Sequence, residues 1–225
     1  MDENFQGYSE SKDSFDIPPE LLDEIQRNIE EIITSFPVPE DNKLDVIKKI
    51  NFMYSHTRHM SLTDGLTGLY NRRHFDSMVE REFLRSKRYD GDLSLAIVDI
   101  AFFKKINDKY GHLCGDYVLK EVAYMILDNF RKTDLVFRYG GEEFVVLLTE
   151  TDINGSVVPL ERLRKRIEEY PFKFNGEGLK LTISIGVADN LVESTQELID
   201  NADKALYEAK GGGRNRVIVF NNKKD

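Results

Sequence analysis

The stretch DLVFRYGGEEFVVLLT (residues 134–149) decides the fold. Its halves, Asp134–Arg138 and Glu143–Thr149, are apolar and β-branched, and the Gly140-Gly141 pair between them predicts a tight hairpin turn. Phe144–Leu148 is apolar at every position, so this strand is expected to be buried on both faces of a larger sheet. Working outward, Leu93–Ile100 (LSLAIVDI) reads as a buried strand upstream. Leu181–Val187 (LTISIGV) reads as a strand downstream, and Asn215–Phe220 as the last one. Between the strands, Asp116–Phe130 aligns Val118, Val122, Ile126 and Phe130 at helical spacing, and Ser156–Tyr170 also reads as a helix. Ser194-x-x-Glu197 is a capping box opening a helix that runs to Lys210. Ahead of these elements, Tyr70–Arg88 reads as a helix with Phe75, Met78, Val79 and Phe83 on one face.

From Leu93 the order is β-α-β-β-α-β, followed by an extra α-β. This predicts an α+β fold with a ferredoxin-like core, a C-terminal α-β addition and helices on one face of the sheet. In such a sheet the first and third strands are antiparallel neighbours at the centre. The end of the first, Asp99, then lies beside the start of the third, Glu142-Glu143. Gathered carboxylates raise one another's pKa unless a cation compensates. Hard oxygen donors of this kind suit Mg²⁺, with Mn²⁺ the alternative. A bare Gly-Gly turn lets the backbone approach a phosphate or a base. Lys104 and Lys105, and the flexible Lys210-Gly-Gly-Gly-Arg214 loop, supply cations for phosphate oxygens. The residues alone leave two readings open, a nucleotide site and an ordinary hairpin with a solvated charge cluster.

The 225 residues carry 31 Lys+Arg against 40 Asp+Glu, a net charge of −9 that argues against a general nucleic-acid binder. With 40% hydrophobic residues the chain can bury a core, and its longest apolar run is far too short to span a bilayer. One cysteine, Cys114, excludes an internal disulfide. The polar, acidic N-terminus is unlike a secretory signal, and a cytoplasmic protein without nucleic-acid or membrane partners is expected. Charge divides the chain. Residues 1–60 hold 6 basic and 13 acidic side chains, whereas residues 61–225 hold 25 and 27.

Residues 1–17 are expected to be a disordered acidic tail. Over 18–60 two amphipathic helices are expected. The first carries Leu22, Ile25, Ile29, Ile32, Ile33 and Phe36 and ends at Pro37; the second runs from Leu44 through Met53 towards His59. Neither can bury its stripe alone. A packing appendage and a dimerising or regulatory relay both remain open, as does docking onto a partner protein. His56 and His59 read as exposed helix residues, and Tyr139 is expected to pack beneath the hairpin.

Arg138-Tyr-Gly-Gly-Glu-Glu-Phe144 resembles the signature hairpin of the GGDEF diguanylate cyclase family in its GGEEF form. Four further stretches resemble the family's other blocks. They are Asp64-Gly-Leu-Thr-Gly-Leu-Tyr-Asn-Arg-Arg73, Phe103-Lys-Lys-Ile-Asn-Asp-Lys-Tyr-Gly-His112 with Gly115-Asp116, Ile183-Ser-Ile-Gly-Val187, and the segment from Ala202 to Asn215. The resemblance covers about residues 61–220, within a domain expected over 61–225. It implies condensation of two GTP to cyclic di-GMP with release of two pyrophosphates, by two domains facing each other in a homodimer. By motif, Asp99, Glu142 and the Ile100 carbonyl would hold Mg²⁺, and Glu143 would assist the metal or the attacking 3′-hydroxyl. Asn107 and Asp116 would read the guanine edge, with Gly140 and Gly141 close to the nucleotide. The backbone around Phe102, Phe103 and Lys104, with the Lys104, Lys210 and Arg214 side chains, would hold phosphates. Arg131-Lys-Thr-Asp134 resembles the family's RxxD inhibitory site for the product, to which Arg162, and more weakly Arg85, could be added from a neighbouring domain.

The family usually has Asp-x-Asp where this chain reads Asp99-Ile100-Ala101. Strand side chains alternate, so positions 99 and 101 share a side. Two functional readings follow from Ala101. One is a cyclase with turnover lowered at this position and feedback at RxxD. The other is a catalytically silent sensor that binds GTP or cyclic di-GMP and signals through the N-terminal helices.

Overall fold

The computed structural model describes residues 62–221, and Val46 before them. The tail and helices expected over 1–60 otherwise lie outside the described residues. The elements are β1 (Tyr70–Asn71), α1 (Arg72–Tyr89), β2 (Leu93–Ile100), α2 (Phe103–Tyr110), α3 (His112–Asn129), β3 (Leu135–Arg138) and β4 (Glu143–Thr149). They continue with α4 (Ile153–Glu169), β5 (Phe172–Phe174), β6 (Glu177–Leu179), β7 (Ile183–Asp189), α5 (Thr195–Gly211) and β8 (Val217–Val219).

Six strands form one mixed sheet in the order β1-β3-β4-β2-β7-β8. The hydrophobic pattern forces β2 into the middle, since all eight of its residues are buried. It pairs antiparallel with β4 on one side and β7 on the other, while β1 and β8 extend the sheet in parallel at its two edges. The α+β core and its C-terminal α-β addition are therefore as the element order predicts. Two further features extend that expectation. Tyr70–Asn71, at the head of the expected first helix, pairs with β3, because Asn71 caps α1 by accepting from the His74 N–H and so stays outside the helix. A small hairpin, β5–β6, turns through Asn175 and Gly176, both at positive φ.

Helices cover both faces, not the one face expected. Alternate β2 residues explain why. Ala96, Val98 and Ile100 join Val118, Val122 and Ile126 of α3 and Leu160, Leu163 and Ile167 of α4 in one core. Leu95 and Ile97 face the other way, with Phe75, Val79 and Phe83 of α1 and Leu198, Ala202 and Leu206 of α5. The ferredoxin-like helices lie on the first face, and the outlying helices supply the second. Ser194 opens α5, its hydroxyl accepting from the Glu197 N–H, while the return bond of the capping box is shifted by one residue, Glu197 accepting from the Glu193 N–H. Tyr139 packs edge-on against Phe75 at 5.1 Å, under the Arg72 guanidinium, which ties the hairpin to α1.

Candidate active site

Register alone brings the acidic residues together. Asp99 is directly opposite Glu143 on β4 and Ser184 on β7. These three side chains therefore share one face at the end of the sheet where β2 finishes. Asp99 is 6% exposed, and its charge is met by Lys210, whose Nζ lies 2.7 Å from Asp99 Oδ2 and 4.0 Å from Glu143 Oε1. Lys210 reaches it because α5 lies very close to the sheet over Gly186, where a Cβ would strike the backbone at Ala202 and Leu206. Lys210, one turn beyond Leu206, is thereby held above Asp99. Glu142 completes the cluster. Burial pushes its carboxyl above the usual range, Asp99 and Glu143 add to this, and Lys210 opposes it.

The donor set fits a hard divalent cation. Two carboxylates, Asp99 and Glu142, adjoin the Ile100 backbone, and Mg²⁺ ordinarily takes one or two carboxylates and leaves other positions to water and phosphate. Among the described residues no group of three or more His, Cys, Asp or Glu side chains is arranged to hold a metal ion.

After β2 the chain makes a turn at Ala101 and Phe102 and enters α2 at Phe103, with Phe102 as its N-cap in the left-handed region at φ 58°. No side chain caps this helix, and of its first-turn N–H groups that of Lys105 donates to the Phe102 carbonyl at 2.9 Å. The Phe102 ring is 52% exposed and lies between two cations, Lys105 at 4.5 Å and Arg214 at 4.4 Å from its centroid. Phe103 differs: its side chain is buried in the core, so only its backbone can face a ligand. Lys104 is exposed on the same turn.

Asn107 of α2 packs across the elbow against Gly115 of α3, the residue before Asp116. Asn107 Oδ1 is buried with no hydrogen-bond partner among the described residues. It rests where only glycine fits, since a Cβ at Gly115 would collide with it. Asp116, on the next residue of α3, is half-buried. At the hairpin neither Gly140 nor Gly141 adopts positive φ, and a Cβ at Gly141 would meet nothing within 4 Å. The fold itself does not require glycine at 141, whereas close approach of a ligand would.

One link was not legible in sequence. Arg138, at the base of the hairpin, binds both Asp64 oxygens at 2.9 and 3.1 Å and the Gly141 carbonyl at 2.8 Å. Thr67 donates to Asp64 from its N–H and its hydroxyl. The Asp64 loop is thus clamped to the signature hairpin, 74 residues away. Burial draws the Asp64 carboxyl upward, but the Thr67 and Arg138 bonds outweigh it and hold the group below the usual range. A lowered carboxylate stabilises the fold above its ordinary range, and the contribution is lost as pH falls through the native pKa. Asp64→Asn should therefore cost about 1–3 kcal/mol at neutral pH, with the difference from the parent closing below about pH 4. Urea unfolding at pH 7 and pH 3 measures this, and an equal loss at both would refute the clamp's charge.

Arg131 and Asp134 form a compact turn, with the Arg131 N–H donating to Asp134 Oδ2 at 2.9 Å. Asp134 Oδ1 is buried without a partner, and burial raises this carboxyl. Arg162 lies at the same corner of the domain. It donates to Asn129 Oδ1 and to the Asn129 carbonyl, closing the end of α3 two residues before Arg131. Arg85 is held elsewhere by Glu82 and Glu150.

No helix among the described residues is long and apolar enough to cross a membrane. The family model described as "Diguanylate cyclase, GGDEF domain" matches residues 61–216. Diguanylate cyclase DgcP of Pseudomonas aeruginosa is 47% identical over 163 residues, which are 72% of this chain and 24% of that protein, so the chain spans about a quarter of that relative's length. The coiled coil and GGDEF domain of DgcB from Caulobacter crescentus, solved in complex with c-di-GMP, superposes with a TM-score of 0.76 at 30% identity over 80% of this chain and 96% of that one. Diguanylate cyclase SiaD from Pseudomonas aeruginosa, solved with its activator SiaC, gives 0.70 at 32% identity over 89% and 75%. The family match and the fold likeness cover the same domain, and the chain belongs to the GGDEF-domain diguanylate cyclase family.

Proposed function

We propose that the chain condenses two GTP into cyclic di-GMP with release of two pyrophosphates. The observation that carries this reading is the buried Asp99 carboxylate beside Glu142 and Glu143, balanced by Lys210. Each 3′-hydroxyl attacks the α-phosphorus of the facing GTP, and the bond to pyrophosphate breaks as the new phosphodiester forms. Asp99, Glu142 and the Ile100 carbonyl would hold a divalent ion, Mg²⁺ or Mn²⁺, which would supply charge stabilisation for that displacement. Glu143 is positioned to accept the hydroxyl proton. The orphaned Asn107 Oδ1, with Asp116, suits the donor groups of a guanine edge. The uncapped start of α2 and the open face of Gly141 suit the phosphates, with Lys104, Lys210 and Arg214 as counter-charges. Two equivalent phosphodiester links require two domains about a twofold axis, so the working unit is a homodimer.

The unpartnered Asp134 Oδ1 and the exposed Arg131 beside it support a product-binding inhibitory site, with Arg162 bracing the corner. The N-terminal helices are the proposed route for regulation or a partner protein, and the cytoplasm the proposed compartment. One observation favours the silent-sensor reading. Ala101 is 6% exposed and its N–H donates to the Thr182 carbonyl, so its Cβ continues the strand on the Asp99 side where a second carboxylate would stand.

GTP conversion with Mg²⁺, run on this chain beside Ala101→Asp, tests the choice. The cyclase reading expects cyclic di-GMP from this chain at a rate within about tenfold of the variant. Ala101→Asp should also unfold at lower temperature without divalent ions and recover with them, because it adds a buried carboxylate to a cluster that already raises Glu142. Activity confined to the variant would establish a binding-only chain.

A further inference from the structure

Ser184 is fully buried, and its Oγ has no hydrogen-bond partner. Buried side-chain hydroxyls are nearly always paired, so this one points to a partner engaged in another state of the site. Its surroundings are narrow. Ser184 is cross-strand from Asp99 on β2, with Glu143 the next side chain along the same row. Gly186, two residues on and on the same face, brings α5 onto the sheet and sets Lys210 over the row. Lys210 currently holds Asp99 Oδ2 at 2.7 Å. A carboxylate accepts several hydrogen bonds, and cross-strand Cβ atoms lie about 5 Å apart, so rotation about one side-chain bond brings the hydroxyl to it.

We propose that Ser184 is a positioning residue for the carboxylate cluster. Its hydroxyl donates to Asp99 when bound phosphate draws the Lys210 ammonium away, and so keeps Asp99 aimed at the divalent ion. The proposal rests on the nucleotide-and-metal reading of this cluster. It explains a polar side chain in a position the sheet would fill as well with alanine. Outer hydrogen bonds to ligating carboxylates commonly change metal affinity 10–100-fold.

The test is a Mn²⁺ titration of the full chain, followed by electron paramagnetic resonance, in the presence of guanosine 5′-[α,β-methylene]triphosphate. This analogue cannot be condensed, so the readout is independent of turnover. Ser184→Ala and Ser184→Cys should each bind Mn²⁺ about tenfold more weakly. Their thermal midpoints and their affinity for the analogue without metal should stay at parental values. Parental Mn²⁺ affinity in Ser184→Ala overturns the proposal. So does a loss accompanied by an equal loss of thermal stability in both variants, which marks a packing role. A parent chain that takes up no Mn²⁺ with the analogue overturns the metal-site reading itself, a result separable from either.

Discussion

Asp99→Asn should reduce cyclic di-GMP formation by about 10³-fold, the scale on which single charge-stabilising groups contribute to catalysis. The substitution keeps shape and volume and removes one negative charge from a side chain that is 6% exposed. Two partners register the change. Lys210 loses its anionic partner at 2.7 Å and keeps the weaker pull of Glu143, at 4.0 Å, and of Glu142. Glu142 loses a like charge that helps push it upward, so its carboxyl moves back towards the ordinary range. The metal-free variant should be less stable than the parent, because a nearly buried ion pair is broken, with part of the loss offset by relief of the crowding on Glu142. Affinity for GTP should fall much less than turnover, since Asn107, Asp116 and Gly141 stand apart from the substitution. Product chromatography and a nucleotide-binding titration on the same variant separate the two effects. A turnover loss below tenfold would take Asp99 out of the reacting machinery.

Asp99 was legible from sequence because it depends on strand order. An apolar run ending in a carboxylate, and a hairpin beginning with two more, can be assigned to neighbouring central strands before any coordinate is known. The observed register, Asp99 opposite Glu143, follows from that order. Asn107 was legible only through family resemblance. Its buried, unpartnered Oδ1 depends on the elbow at Gly111 and on the absence of a side chain at Gly115, and neither follows from local pattern. The Arg138–Asp64 clamp was not legible, because it joins two loops 74 residues apart through side chains that each have other plausible partners. Helix α2 is hard to read from sequence because FKKINDKY is mostly polar and buries only Phe103. The second helical layer was missed for another reason. Strands buried on both faces, such as β2, show no alternation, so the pattern of β2 alone could not say what covers its second side.

Gly186→Ala should be the most damaging single substitution to the fold, with a loss of about 4 kcal/mol or more. The added methyl would meet the Leu206 N and Ala202 O atoms of α5, and the Leu206 Cα at 2.7 Å. These are backbone atoms, and their helix carries fully buried Leu198, Ala202 and Ala209 on the same face. Ordinary overpacking is relieved when a neighbouring side chain changes rotamer, at a cost of about 1–3 kcal/mol. That route is closed here, because the whole helix must lift. The claim has a distinctive consequence: trimming Leu206 to alanine should not rescue Gly186→Ala, whereas it would rescue a side-chain clash. Function should fail along with stability. Raising α5 carries Lys210 away from Asp99, so whatever fraction of the variant remains folded should lose turnover in proportion to that displacement. Urea unfolding of Gly186→Ala with and without Leu206→Ala, followed by activity per folded molecule at low temperature, tests both parts. A mild, rescuable loss with normal specific activity would mean that α5 has room to move and that Gly186 does not set the position of Lys210.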